Sequence, residues 1–153
     1  MALSLSSPAF KEGETIPKEF SCEGRDQSPQ LKWSDVPEGT QSFVMIMDDP
    51  DAPVGTWDHW VLFDIPAGKT ELPAGIASDA EFDDGSRSGL NSWKKHGYGG
   101  PCPPPGGPHR YFFKLYALDI KLELSSASTK AQVEAAMKGH ILAQSKLMGK
   151  YSR

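Results

Sequence analysis

The residues of this chain that could do chemistry gather in two stretches. One is DDPDAPVGTWDHW, Asp48 to Trp60, and the other is GYGGPCPPPGGPHRY, Gly97 to Tyr111. Together they supply Asp49, Asp51, His59, His109, Arg110 and Tyr111. Histidines and a tyrosine hydroxyl donate to phosphate oxygens, and a carboxylate such as Asp49 orients a histidine or holds its proton. Exposed amides of a glycine-rich loop can form a nest for negative charge. Gly99 and Gly100 would let the backbone approach a ligand with no Cβ in the way. The set suits a small anion pocket. For Asp49 and Asp51 the competing use is turn chemistry, in which the side chain accepts from a nearby amide. Arg110 suits a phosphate and a structural ion pair equally well, because its planar fork serves both.

Other chemistries fit less well. Two histidines and a carboxylate could hold zinc, but no HxH or HExxH spacing supports it. No serine sits in a GxSxG elbow, and Cys102 is flanked by prolines rather than opening a helix that would lower its pKa. The expectation is a non-enzymatic protein with no catalytic residue, no metal and no cofactor. His96 and His140 read as surface or structural residues.

The loops that carry the candidates are stiff. The fourteen residues from Gly97 to Arg110 hold five glycines and five prolines. Such a run excludes helix interior and central strand, since proline lacks the amide donor and fixes φ. Pro50 and Pro53 do the same for the first stretch and push Asp49 and Ala52 toward extended backbone. Rigid loops between strands are good places to hold a site. Short apolar segments punctuated by Gly and Pro predict an all-β domain with strands at Leu3–Ser6, Gln30–Trp33, Ser42–Asp48, His59–Ile65 and Tyr111–Leu118. SFVMIMDD is nearly continuous in apolar residues, which predicts a strand buried on both faces. After Leu124 the chain favours helix formers. Thr129 with Gln132 three residues on resembles a capping box, Val133, Ala136 and Met137 share a face, and Gly139 ends the helix. A second short helix carries Ile141, Leu142, Ser145 and Met148. The fold class is all-β, a β-sandwich with short C-terminal helices.

Composition narrows the function further. At 153 residues the chain predicts a single domain spanning 1–153. A net charge of −4 argues against a general nucleic-acid partner, which would show a basic face. No apolar run is long enough for a transmembrane segment, and the N-terminus lacks a secretory pattern, so the expected location is cytoplasmic. In that compartment Cys22 and Cys102, far apart and outside CxxC spacing, read as reduced thiols.

DDPDAP followed by WDHWVLFDIP, and GYGGPCPPPGGPHRYFFKLYALD after them, resemble the phosphatidylethanolamine-binding protein family in its compact bacterial and archaeal branch, whose members are also called Raf kinase inhibitor-like. The likeness extends to SPAFKEGETIPKEFSCEG, to SPQLKWSDVPEGTQSFVMIMDDPDAP and to AMKGHILAQSKLMGKY, and so covers almost the whole chain. It implies a β-sandwich with a small pocket at one edge for phosphate-like groups such as a phosphorylethanolamine head group. Carried over residue by residue, Asp49 and His59 line that pocket with Gly100, Pro101, His109 and Tyr111. Ala52, Pro53 and Trp57 complete the wall. Arg110 falls to a structural role beside it. The resemblance also implies a homodimer, a closeness of Cys22 to Cys102 near the pocket, and, as an alternative function, inhibition or regulation of a protein partner such as a protease or kinase.

Overall fold

The computed structural model describes residues 2–153, whose strands form two antiparallel sheets. The smaller sheet has the order β1 (Ser4–Ser6), β2 (Leu31–Ser34), β5 (Glu71–Leu72). The larger has the order β6 (Arg87–Ser88), β4 (Trp57–Pro66), β3 (Ser42–Asp49), β7 (His109–Leu118), β8 (Ile141–Tyr151). One helix, α1 (Lys130–Met137), packs on the outer face of the larger sheet.

β3 is the central strand, and its apolar run serves two cores. Phe43, Met45 and Met47 join Trp60, Leu62, Phe113 and Leu115 in the space between the sheets. Val44 and Ile46 join Val61, Phe63 and Leu118 under Val133 and Met137 of the helix. Alternate residues of a strand point to opposite faces, so a strand covered on both sides has no polar face to show. Each fully buried side chain of this size contributes about 1.5–3 kcal/mol.

Helix α1 begins where the capping box predicts. The Thr129 hydroxyl accepts from the Gln132 amide, and the Gln132 side chain accepts from the Thr129 amide at 2.9 Å. Its last turn gives way to Gly139 at φ 83°, a left-handed position that glycine adopts without strain. Lys130, at the start of the helix, reaches Asp58 at 2.9 Å and Asp48 at 3.3 Å, and Lys114 reaches Asp48 at 3.0 Å. These pairs tie the helix to β3, β4 and β7.

The second C-terminal helix is not formed. Residues 141–151 make the long strand β8 against β7, from Leu118↔Ile141 to His109↔Tyr151. Leu, Ala, Gln, Lys and Met are good helix formers, but pairing along ten residues of β7 overrides that preference. A period of two is visible once the partner is known: Leu147, Gly149 and Tyr151 are buried and Lys146 and Lys150 are not. Two short strands, β5 and β6, were not expected from sequence. The five strands that were expected all form, with ends moved by at most two residues.

Candidate functional site

At one end of the larger sheet, β3, β4 and β7 deliver their terminal residues to a cavity of about 650 Å³. Asp49 ends β3, His109 and Tyr111 open β7, and Trp57 and His59 open β4. The register explains why His59 is there. Met47 pairs with Trp60 and Asp48 pairs with Asp58, so His59 is the extra residue of a bulge. A bulge lets two successive residues share a face. Trp60 faces the inner core, His59 faces the cavity beside it, and Asp58 turns to the helix side, where it meets Lys130.

Asp49 and the two histidines of this cluster each have a fixed partner. His109 Nδ1 lies 2.8 Å from Asp49 Oδ2. The other Asp49 oxygen accepts from the Asp51 amide at 2.7 Å. Asp49 therefore makes the turn bond and also holds His109 at the cavity edge. His59 Nδ1 donates to the Gly99 carbonyl at 2.7 Å, which leaves Nε2 as the ring atom available to a ligand. The His59 ring is only 3% exposed and is held edge-on between Trp93 at 5.0 Å and Tyr111 at 5.2 Å. Burial, first, pushes its pKa below the ordinary histidine value, against the opposing pull of the Gly99 carbonyl and Asp49. Burial also pushes the Tyr111 hydroxyl well above its usual range, with the Asp49 carboxylate adding to the effect, so this group stays a donor.

Arg110 is a structural residue. Its Nε and amide both reach Asp51 Oδ2 at 2.9 Å, and a terminal nitrogen reaches Oδ1 at 2.8 Å. This bidentate pair lies outside the cavity and fastens the start of β7 to the Asp-Pro turn.

Eight of the nine candidate lining residues come together: Asp49, Ala52, Pro53, Trp57, His59, Gly100, His109 and Tyr111 all border the cavity. Pro101 does not. It is buried behind the wall, where its carbonyl accepts from the Cys22 amide at 3.0 Å. The glycines are also used differently from the expectation. The Gly99 amide donates to the His59 carbonyl at 2.9 Å and the Gly100 amide to Asp26 Oδ1 at 2.7 Å. Neither amide is left for a nest. A Cβ on Gly99 would run into the Trp93 ring, and one on Gly100 into Phe20 and Asp26. These glycines allow the loop to press against protein, not against a ligand.

The cysteines overturn the reduced-thiol reading and meet the closeness that the family likeness implies. Cys22 and Cys102 form a disulfide with their Cα atoms 5.4 Å apart, and both border the cavity. Their separation of 80 residues carried no pairing signal. The Pro-Gly loop reaches the segment around Phe20 through the Cys22–Pro101 and Asp26–Gly100 bonds and the Tyr98 hydroxyl on the Phe20 carbonyl at 2.7 Å. The two thiols meet as a result.

Sequence reasoning also missed part of the wall. Asp26, Asn91, Trp93, Lys95 and His96 all border the cavity. Asn91 builds its own loop: its side-chain oxygen accepts from the Trp93 and Lys95 amides, and its side-chain nitrogen donates to the Gly97 carbonyl. An Asn two residues before a Trp was the available signal, and it is weak. His96 is half-buried and bonds the Ser88 carbonyl through Nδ1, so the structural reading stands beside a place in the wall. His140 pairs with Asp119 far from the site.

The arrangement can orient two imidazole Nε2 atoms and one phenol hydroxyl around a small polar group. It sets them beside an aromatic wall of Trp57 and Trp93. Among the described residues no three His, Cys, Asp or Glu side chains are grouped as metal ligands.

The phosphatidylethanolamine-binding protein family matches residues 6–152 of the chain. The chain belongs to that family. A UPF0098 protein of Aquifex aeolicus is 50% identical over 153 residues, covering 99% of this chain and 89% of its own length. Another, from Methanothermobacter thermautotrophicus, is 44% identical over 151 residues and covers 99% of each. Among solved structures, a phosphatidylethanolamine-binding protein homologue from Chlamydia trachomatis superposes with a TM-score of 0.90 at 41% identity. That match covers 99% of this chain and 98% of its own. YbcL of E. coli, described as a member of the mammalian family, gives 0.89 at 36% identity and covers 100% and 99%. The two-sheet architecture with its short helix is therefore that of the phosphatidylethanolamine-binding fold. No helix among the described residues is long and apolar enough to cross a membrane.

Proposed function

We propose that this member of the family is a non-enzymatic binding protein whose cavity takes a small phosphate-type group, such as a phosphorylethanolamine head group or a phosphorylated side chain. One observation carries the reading. Asp49, His59, His109 and Tyr111, brought from three strands, converge on one wall of a preformed cavity, with the histidines held by the Gly99 carbonyl and Asp49. Side chains locked before binding reduce the ordering cost of holding a small ligand. The phosphatidylethanolamine-binding name of the family and of the Chlamydia homologue supports the same ligand class.

The test is an NMR titration of the histidine rings with phosphorylethanolamine, on wild type and His109→Ala. The expected result is a joint shift of His59 and His109 in wild type that the variant loses. No ring movement at millimolar ligand would reject the reading.

A second reading, regulation of a protein partner, draws on the cavity mouth. Val54 is 81% exposed and Trp93 40% exposed there, and both border the cavity. A partner docking on them would be blocked by Val54→Asp and left bound by His109→Ala.

A further inference from the structure

His59 is poorly placed to hold a fully ionised anion in its resting state. Its Nδ1 donates to the Gly99 carbonyl, which fixes the proton on that nitrogen. The neutral ring then shows the cavity a bare Nε2, an acceptor facing a ligand that also consists of acceptors. A phosphate oxygen and a bare imidazole nitrogen repel unless a proton lies between them.

The surroundings do not favour a resting imidazolium. The ring is almost wholly buried and edge-on to Trp93 and Tyr111. Asp48 and Asp49 on β3 favour the charge, and burial outweighs them. From β7, His109 is engaged with Asp49, and Tyr111 keeps its proton. Around the remaining wall stand Asp26, Lys95, His96 and Tyr98. The Gly99 and Gly100 amides, which could have met an anion without any proton, are already bonded.

We propose that anion binding in this cavity is proton-coupled through His59: the complex holds one proton, between Nε2 and a ligand oxygen, that the free protein lacks. The proton comes from the ligand when the ligand is a weak oxyacid, and otherwise from solvent. Its transfer breaks no covalent bond other than the O–H it leaves. The site therefore selects oxyanions that still carry a proton near neutral pH. A phosphate monoester, with its second pKa near 6, is of this class, and sulfate, of the same shape, is not. The inference rests on the anion-pocket reading above.

The experiment is isothermal titration calorimetry of the full chain with phosphorylethanolamine, inorganic phosphate and sulfate, in buffers of different ionisation enthalpy. It is paired with 15N NMR of the His59 ring. Referred to the fully ionised phosphoryl group, proton uptake should approach one per ligand on the alkaline side. Affinity should fall about tenfold per pH unit there. Sulfate should bind at least about tenfold more weakly than phosphate at pH 8, since its proton must come from solvent. On saturation with phosphate, Nε2 should move from the unprotonated to the protonated shift range. His59→Asn, which can still donate to the Gly99 carbonyl, should lose the preference for phosphate over sulfate. Binding of phosphate with an unchanged Nε2 signal and equal affinity for sulfate overturns the proton coupling and leaves the pocket standing. No binding of any of the three at any pH overturns the pocket and the coupling together.

Discussion

Asp49 reaches His109 with one carboxylate oxygen at 2.8 Å while its other oxygen caps the amide of Asp51 at 2.7 Å. One side chain thus fixes a β7 residue of the cavity and the turn that leads away from β3. An asparagine in its place has a single acceptor oxygen. The Asp51 amide would lose its acceptor if it faced the new NH₂ group, and His109 could meet that group only with its proton moved to Nε2 and without the carboxylate charge, while Asp49 is only 3% exposed. Asp49→Asn should lower stability by about 1–3 kcal/mol in urea denaturation. It should also weaken phosphorylethanolamine binding, read by calorimetry. Stability equal to wild type would mean that the carboxylate charge adds nothing to the pair with His109.

The Cys22–Cys102 disulfide closes a large loop across the cavity wall. Cross-links act mainly on the unfolded chain, and one spanning a loop of this size is worth about 2–4 kcal/mol. Reduction, or Cys102→Ser, should lower the denaturation midpoint accordingly. The fold should survive, because three hydrogen bonds still join the same two segments. Mass spectrometry with and without reductant counts the thiols. Identical midpoints in both states would show that the bridge constrains nothing.

Asp51 and Arg110 give a prediction in pH. The guanidinium bonds, first, bring the Asp51 carboxyl from 3.8 to about 2. A depressed carboxyl stabilises the fold above its unfolded pKa and loses that contribution as pH falls through its folded one. The window is therefore the acid range between those two values. Arg110 is exposed and Asp51 partly so, and the contribution to stability is therefore small and salt-sensitive. The direct readout is the Asp51 carboxyl 13C shift. Its midpoint should lie near 2 in wild type and return toward 3.8 in Arg110→Ala. A wild-type midpoint already at the ordinary value would dissolve the pair.

The strand pattern was legible because burial leaves a mark that a single chain shows on its own, as in the unbroken buried run Ser42–Asp49. β8 was not, because Ala143, Gln144, Lys146 and Met148 prefer helix and only the presence of β7 makes them a strand. The candidates that border the cavity were legible through the two Pro-rich loops and the family likeness. The bulge that aims His59 was not, since it is a property of the pairing between β3 and β4. The fate of the Gly99 and Gly100 amides was hidden for a similar reason. Their acceptors, the His59 carbonyl and Asp26, lie at 40 and 74 residues' separation.

His59 also makes stability depend on pH in the absence of any ligand. In the unfolded chain an imidazole takes a proton at about 6.5. In the folded protein burial, the first cause, moves that event to lower pH. Between the two values the unfolded state holds more protons, so stability rises with pH across the window and falls as the solution is acidified below about 6.5. His59→Asn removes the titrating group and keeps a donor for the Gly99 carbonyl, so its stability should fall less over the same interval. Urea denaturation of both proteins at several pH values between about 5 and 7.5 gives the comparison. Parallel curves would show that His59 titrates alike in both states. Saturating phosphate should flatten the wild-type slope further, because a bound anion favours the protonated ring that folding alone disfavours.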